Sequence, residues 1–240
     1  MRDTICERVE IPAPAGTLCG QLGYRMDTAH PPTPPSRIAG VLICSPHPYM
    51  GGHMDLPLLS TIADHLVARG TPTLRFDYGG VGNSEGPPFD VGSAMDAFWK
   101  TGVAPQDPTL IEEARCVLRW FTNQLNAPIM LIGYSFGALV ASRICDDSTP
   151  AIALVAPTVT HHDYAGFSND RIPTLVVAGV GDFATADDEM VAWVRSLSPA
   201  TRLVQIPEAD HFFRGSCDRV GMHIAGFIAD LATPASEASP

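Results

Sequence analysis

The segment Gly133-Tyr134-Ser135-Phe136-Gly137 sets one serine between two glycines at G-x-S-x-G spacing. An apolar run, Ile129–Ile132, precedes it, and a helical pattern over residues 135–146 follows. In a strand–turn–helix setting this spacing serves nucleophilic attack on a carbonyl. A sharp turn lifts the hydroxyl out of the sheet, and the glycines leave room where a side chain would clash. The helix starting there aims free N–H groups at an oxyanion. A serine hydroxyl is a weak nucleophile at neutral pH. It needs a general base, and the base needs a carboxylate to orient it. Asp182 lies just past the strand-like run Thr174–Ala178, in Gly179-Val180-Gly181-Asp182. His211 lies just past Arg202–Ile206, in Asp210-His211-Phe212-Phe213. Both follow strands, in the chain order Ser, Asp, His.

Other acids and histidines compete for these roles. Asp187 and Asp188 fit the first turn of a helix over 186–197, where carboxylates complement the helix dipole. Asp210 adjoins His211 and reads as a loop or capping group. His161-His162 follows the run Ala151–Ala156 and reads as loop, with pocket lining the lesser reading. Together with Asp163 it has no diagnostic metal spacing.

Positioning these groups requires strands that end on one rim. Residues 1–25 predict a hairpin: Ile5, Glu7, Val9 and Ile11 alternate, Ala15-Gly16 turns, and Leu18 to Tyr24 returns. His30 to Pro35 is proline-rich and reads as a surface loop, since proline removes donors and fixes φ. Ile38–Cys44, Thr73–Phe76 and Ile129–Ile132 are short continuous apolar runs, as expected of strands buried on both faces. Helices are expected over 55–70, 109–125 and 217–232. In the second, Thr109 and Glu112 fit a capping box, and Ile111, Ala114, Leu118, Phe121 and Leu125 share a face. Strands alternating with helices predict one α/β domain over 1–232, a mostly parallel central sheet with helices on both faces. Residues 233–240 are expected to fray. Ligands in such sheets bind beyond the carboxyl ends of the strands.

The chain has 240 residues, 45% of them hydrophobic and 17% charged, which excludes global disorder. No apolar run approaches the roughly 18 residues that cross a bilayer. Arg2, Asp3, Glu7, Arg8 and Glu10 crowd the first ten positions, where a secretory signal would be apolar. A cytoplasmic protein without membrane association is therefore expected. The net charge is −11, Lys100 is the single lysine, and no basic cluster exists, so nucleic acid is not an expected partner. The six cysteines show no CxxC pair and read as reduced, mostly buried residues.

Taken in order, HPYMGGHMD (47–55), LRFDYGGVGNSEG (74–86), GYSFGA (133–138), GVGD (179–182) and ADHFF (209–213) resemble the α/β-hydrolase superfamily. The resemblance spans most of residues 38–213. It is closest to small bacterial serine hydrolases with a His-Pro-x-x-Gly-Gly loop. It implies an α/β-hydrolase fold and a triad of Ser135, Asp182 and His211. It also implies an oxyanion hole of Phe136 N–H and a second donor from the loop after the first parallel strand. Pro48 has no N–H, so Tyr49 is the expected donor, with Met50 next. The glycine-rich stretch Gly79 to Ser84 is expected to shape the fold near the site without doing chemistry.

Two departures from the superfamily pattern stand out. Residues 87–106 read as an insertion holding Phe89, Met95, Phe98 and Trp99, expected as a small lid or pocket wall, or else as a helix packed elsewhere. The segment from Pro157 to Ile172 is too short for a cap domain, though Tyr164 and Phe167 could still reach the site. Little or no cap is therefore expected. Substrate-contacting candidates are His47, Met50, Tyr134, Phe98, Trp99 and Phe212. The expected function is hydrolysis of an ester or thioester of a small to medium acyl group, free or carrier-bound, through an acyl-enzyme on Ser135. The alternative is acyl transfer or cyclisation of a polyketide-like or acyl-thioester substrate with the same triad. The triad requires no metal or organic cofactor. Sequence leaves the oligomeric state open.

Overall fold

Strand β3 (Gly40–Cys44) shows why its apolar run is unbroken. Val41 and Ile43 pack into one core cluster, and Leu42 and Cys44 into another on the opposite face. Strand β5 (Ile129–Tyr134) divides its side chains likewise, Leu131 to one side and Met130 and Ile132 to the other. Period-two geometry makes a strand covered on both faces apolar at every position. The computed structural model describes residues 3–26, 38–88, 90–101, 104, 106–167 and 169–232. The expected proline-rich loop at 30–35, Phe89 and the tail 233–240 lie outside the described residues.

Among the described residues the sheet has eight strands. Hairpin β1 (Asp3–Ala13) and β2 (Gly16–Met26) is antiparallel, and β2 pairs antiparallel with β4 (Thr73–Phe76). From β4 onward, β3, β5, β6 (Ile152–Val155), β7 (Thr174–Gly179) and β8 (Arg202–Ile206) pair in parallel. The order is β1-β2-β4-β3-β5-β6-β7-β8. Strand β3 is followed in sequence by β4 on one side and in space by β5 on the other. The chain reverses its winding there, which opens a crevice beyond the carboxyl ends of β3 and β5.

Helices α1 (Pro57–Ala68) and α6 (Cys217–Ala232) pack on one face of the sheet. Helices α3 (Asp107–Leu125), α4 (Phe136–Ile144) and α5 (Asp187–Ser196) pack on the other. The start of α3 differs from the expected capping box. It begins at Asp107 with Pro108 in its first turn, where proline's missing N–H costs nothing. Thr109 is already helical, and Glu112 instead pairs with Arg115 at 2.9 Å and Arg119 at 3.3 Å. The buried stripe of α3 is Leu110, Glu113, Ala114, Val117 and Phe121. Glu113 is tolerated there because its carboxylate accepts Gly79 N–H at 2.9 Å, while burial raises its pKa. That bond fixes the glycine-rich loop.

Helix α2 (Val91–Thr101) lies within the 87–106 segment and contacts the 3-10 turn Pro48–Met50. Ala94 is its one buried residue, and Tyr49, Ala94 and Ala104 form a small separate cluster with Met95 and Phe98. Tyr164 is buried against the main core, its ring 5.2 Å from Trp193, and Phe167 packs on the same core. Neither joins the site. Two of the six cysteines, Cys19 and Cys44, are buried, while Cys6 is exposed; all six are free thiols. Burial pushes the Cys44 thiol up to about 12.

Candidate active site

Ser135 heads α4 directly after β5, with φ 56° and ψ −121°. A residue with a side chain is held there only by its surroundings. Its N–H donates to Val155 O at 2.9 Å, and Gly133 and Gly137 meet at the turn. A Cβ on Gly133 would lie 2.0 Å from Gly137 O, and one on Gly137 would lie 2.2 Å from Cys44 O. The glycines are therefore required by close backbone approach. Phe136 and Gly137 open α4, so their N–H groups lack intrahelical acceptors. They bring the positive end of the helix dipole to the serine.

Asp182 follows β7 and His211 follows β8. A Cβ on Gly179 would lie 2.3 Å from Ala209 O, so the two loops can touch only with glycine there. His211 Nδ1 is 2.8 Å from Asp182 Oδ2 and 3.0 Å from Oδ1. The carboxylate can only accept, so Nδ1 carries the proton and Nε2 faces Ser135 Oγ at 3.0 Å as an acceptor. Asp182 Oδ1 also takes Ala184 N–H at 2.7 Å. Both Asp182 and His211 are buried, while Ser135 stays partly exposed. The competing acids do other work. Asp187 Oδ1 accepts Gly181 N–H at 3.2 Å, and Asp210 accepts the N–H groups of Phe212 and Arg214 at 3.1 and 3.2 Å.

The loop after β3 corrects several expectations. His47 is buried between the rings of Tyr49 (4.0 Å) and Phe136 (4.7 Å), so it supports the site from beneath and cannot touch substrate. Its Nε2 is 3.1 Å from Asp107 Oδ1, and its Nδ1 accepts Tyr49 N–H at 3.2 Å. Burial pushes its pKa below the ordinary value, against the pull of Asp107, so the neutral Nε2–H tautomer fits both contacts. Tyr49 N–H, the expected second oxyanion donor, is thus engaged, because His47 caps the 3-10 turn. Met50 N–H is likewise taken by His47 O at 2.9 Å. The turn is braced from β4: Arg75 donates to Met54 O at 2.6 Å, and Asp77 Oδ1 accepts Met54 N–H at 2.7 Å. Arg75 also reaches Gln21.

Of the remaining candidates, Tyr134 is buried and its hydroxyl donates to His211 O at 3.0 Å, so it positions the base instead of contacting substrate. Phe98 reaches Tyr49 (5.6 Å) and His162 (5.5 Å) and forms a wall beside Phe136 with them. Trp99 touches Phe98 but is 70% exposed. Met50 is exposed on the turn. Phe212 stands edge-on to the His211 ring at 5.7 Å. Sequence reasoning passed over Phe183, whose ring is 5.0 Å from that of His211; its place directly after Asp182 was the available signal. A surface pocket of about 460 Å³ lies beside α3 and α4, lined in part by Asp107, Ile111, Leu139 and His162. Among the described residues, no three His, Cys, Asp or Glu side chains cluster to hold a metal ion. None of the helices described is long and apolar enough to cross a membrane.

No family model matches the chain. An uncharacterized protein of Rickettsia prowazekii (strain Madrid E) is 30% identical over 204 residues, covering 79% of this chain and 78% of that protein. An α/β serine hydrolase homologue from Coxiella burnetii superposes with a TM-score of 0.73 at 28% identity, over 94% of this chain and 97% of the other. The chain belongs to the α/β-hydrolase superfamily. A serine hydrolase without lid from Xanthomonas campestris shares this fold with a TM-score of 0.75 at 22% identity, over 98% and 97% of the two chains. This α/β hydrolase belongs to one family with the Rickettsia protein.

Proposed function

We propose that the chain is a serine hydrolase that cleaves an ester or thioester of a small to medium acyl group. The observation that carries this reading is the continuous relay from Ser135 Oγ to His211 (3.0 Å) to Asp182 (2.8 Å) at the head of α4. Ser135 Oγ attacks the carbonyl carbon as His211 Nε2 takes its proton. Asp182 holds the imidazole in the competent tautomer and stabilises the imidazolium. The carbonyl oxygen, now negative, receives Phe136 N–H. Tyr49 N–H, held by His47 Nδ1 at 3.2 Å, becomes a second donor only when that bond opens toward the oxyanion. His211 then protonates the leaving group, which departs and leaves an acyl-enzyme. A water, deprotonated by His211, releases the acid and restores Ser135.

Hydrolysis is favoured over cyclisation because Ser135 remains partly exposed and water reaches the acyl-enzyme. Helix α2 rests on the Tyr49 turn, which makes it a wall on one side of the site. The test is product analysis of acyl esters and thioesters incubated with wild type and Ser135→Ala. Free acid formed by wild type alone supports the reading. Ring or transfer products, or equal turnover by Ser135→Ala, overturn it.

A further inference from the structure

The two residues that follow the triad acid and the triad base are both phenylalanines, and both are exposed. Phe183 is 67% exposed and Phe212 45%. Bulky apolar side chains are usually withdrawn from water, and single exposed ones need no explanation. These two are paired. Their ring centroids are 5.7 Å apart, and both flank the same imidazole, at 5.0 Å and 5.7 Å from the ring of His211.

The pair is also held in place. Phe183 sits between Asp182 and Ala184, and the Ala184 N–H is bonded to the Asp182 carboxylate. Phe212 N–H is bonded to Asp210, and the Arg214 guanidinium lies 4.5 Å from the Phe212 ring. That guanidinium is itself paired with Asp210 at 3.0 Å. Arg214, paired with Asp210, thus covers one face of Phe212, and the ring area left exposed on Phe212 and Phe183 is apolar.

His211 must deliver a proton to the departing oxygen, so the leaving group lies against whatever flanks the imidazole. We infer that Phe183 and Phe212 form the leaving-group subsite and select esters of an aromatic alcohol. The inference rests on the serine-hydrolase reading above and narrows it. An apolar ring stacks on this platform, whereas a small polar alcohol leaves it wet, and an anionic thiol meets a chain of net charge −11.

The experiment measures kcat/KM for benzyl acetate and 2-methoxyethyl acetate, which share one acyl group and leave as alkoxides of similar basicity. Ethyl acetate and ethyl butyrate report the acyl side. Fluorophosphonate labelling of wild-type Ser135 is followed in parallel. Wild type should prefer the benzyl ester by about 10-fold or more, in the range a filled apolar subsite supplies. Phe183→Ala/Phe212→Ala should bring the ratio near unity while leaving the butyrate-to-acetate ratio in place. Phe183→Leu/Phe212→Leu should fall between, with thermal midpoints confirming folded proteins. An equal rate on both esters in wild type overturns the inference, as does a benzyl preference that survives the double alanine change. Labelled Ser135 with no turnover of any ester overturns the subsite and leaves the nucleophile standing. Absence of both labelling and turnover overturns the serine-hydrolase reading itself.

Discussion

The Tyr134 hydroxyl donates a 3.0 Å hydrogen bond to the backbone carbonyl of His211. The residue immediately before the nucleophile therefore fixes the loop that carries the base. Both partners are buried, so the bond is shielded from water. Tyr134→Phe keeps the ring and removes the donor. It should cost about 1 kcal/mol of stability, the usual net worth of one hydrogen bond. It should also lower kcat with little change in KM, because a displaced base affects chemistry more than binding. Urea unfolding and steady-state kinetics on an ester substrate check both parts.

Ser135 adopts φ 56° and ψ −121°, a conformation that glycine enters freely and other residues do not. Ser135→Gly should therefore be inactive and yet more stable than wild type, by roughly 1 kcal/mol. Ser135→Ala should be inactive without that gain. The comparison of their unfolding free energies separates backbone strain from loss of the hydroxyl.

Asp182→Asn should retain the fold but offer an N–H where a carboxylate accepted. His211 then favours the tautomer with its proton on Nε2, which cannot take one from Ser135. A fall in kcat of about 10⁴-fold is expected. A loss of a few-fold only would show that another acid orients His211.

Much of this arrangement was legible in the sequence, for identifiable reasons. Runs such as Val41 to Cys44 and Ile129 to Ile132 read as strands covered on both faces, and their alternation with helices pointed to the parallel core and the rim carrying Ser135, Asp182 and His211. The reversal placing β4 beside β2 depends on long-range pairing that no local pattern encodes. The capping box at Thr109 was a local match overridden by Pro108, which starts the helix earlier. His47 carried the wrong role because its burial under Tyr49 and Phe136 is tertiary. The bond from Tyr49 N–H to the His47 side chain requires a rotamer that sequence does not specify. Trp99 is a candidate because it lies in the apolar 87–106 insertion beside the site, whereas in α2 it stands 70% exposed.

His47 and His162 both have pKa values lowered by burial. Asp107 pulls each upward, and around His162 the neighbouring His47 and His161 add to the lowering. A base whose folded pKa is lowered is protonated first in the unfolded chain as pH drops. Its stabilising contribution is whole above the ordinary histidine value of 6.5 and is lost as pH falls from there through the folded value. The thermal midpoint should therefore decline between about pH 7 and pH 5, and His162→Gln should flatten that decline. An unchanged slope in the variant would remove His162 from the account.

The central claim is that Ser135 is a nucleophile activated by His211. Intact-protein mass spectrometry after treatment with a fluorophosphonate tests it most directly. Wild type should gain a single adduct, and Ser135→Ala, folded to the same thermal midpoint or close to it, should gain none. An unlabelled wild type, or equal labelling of Ser135→Ala, would contradict the claim.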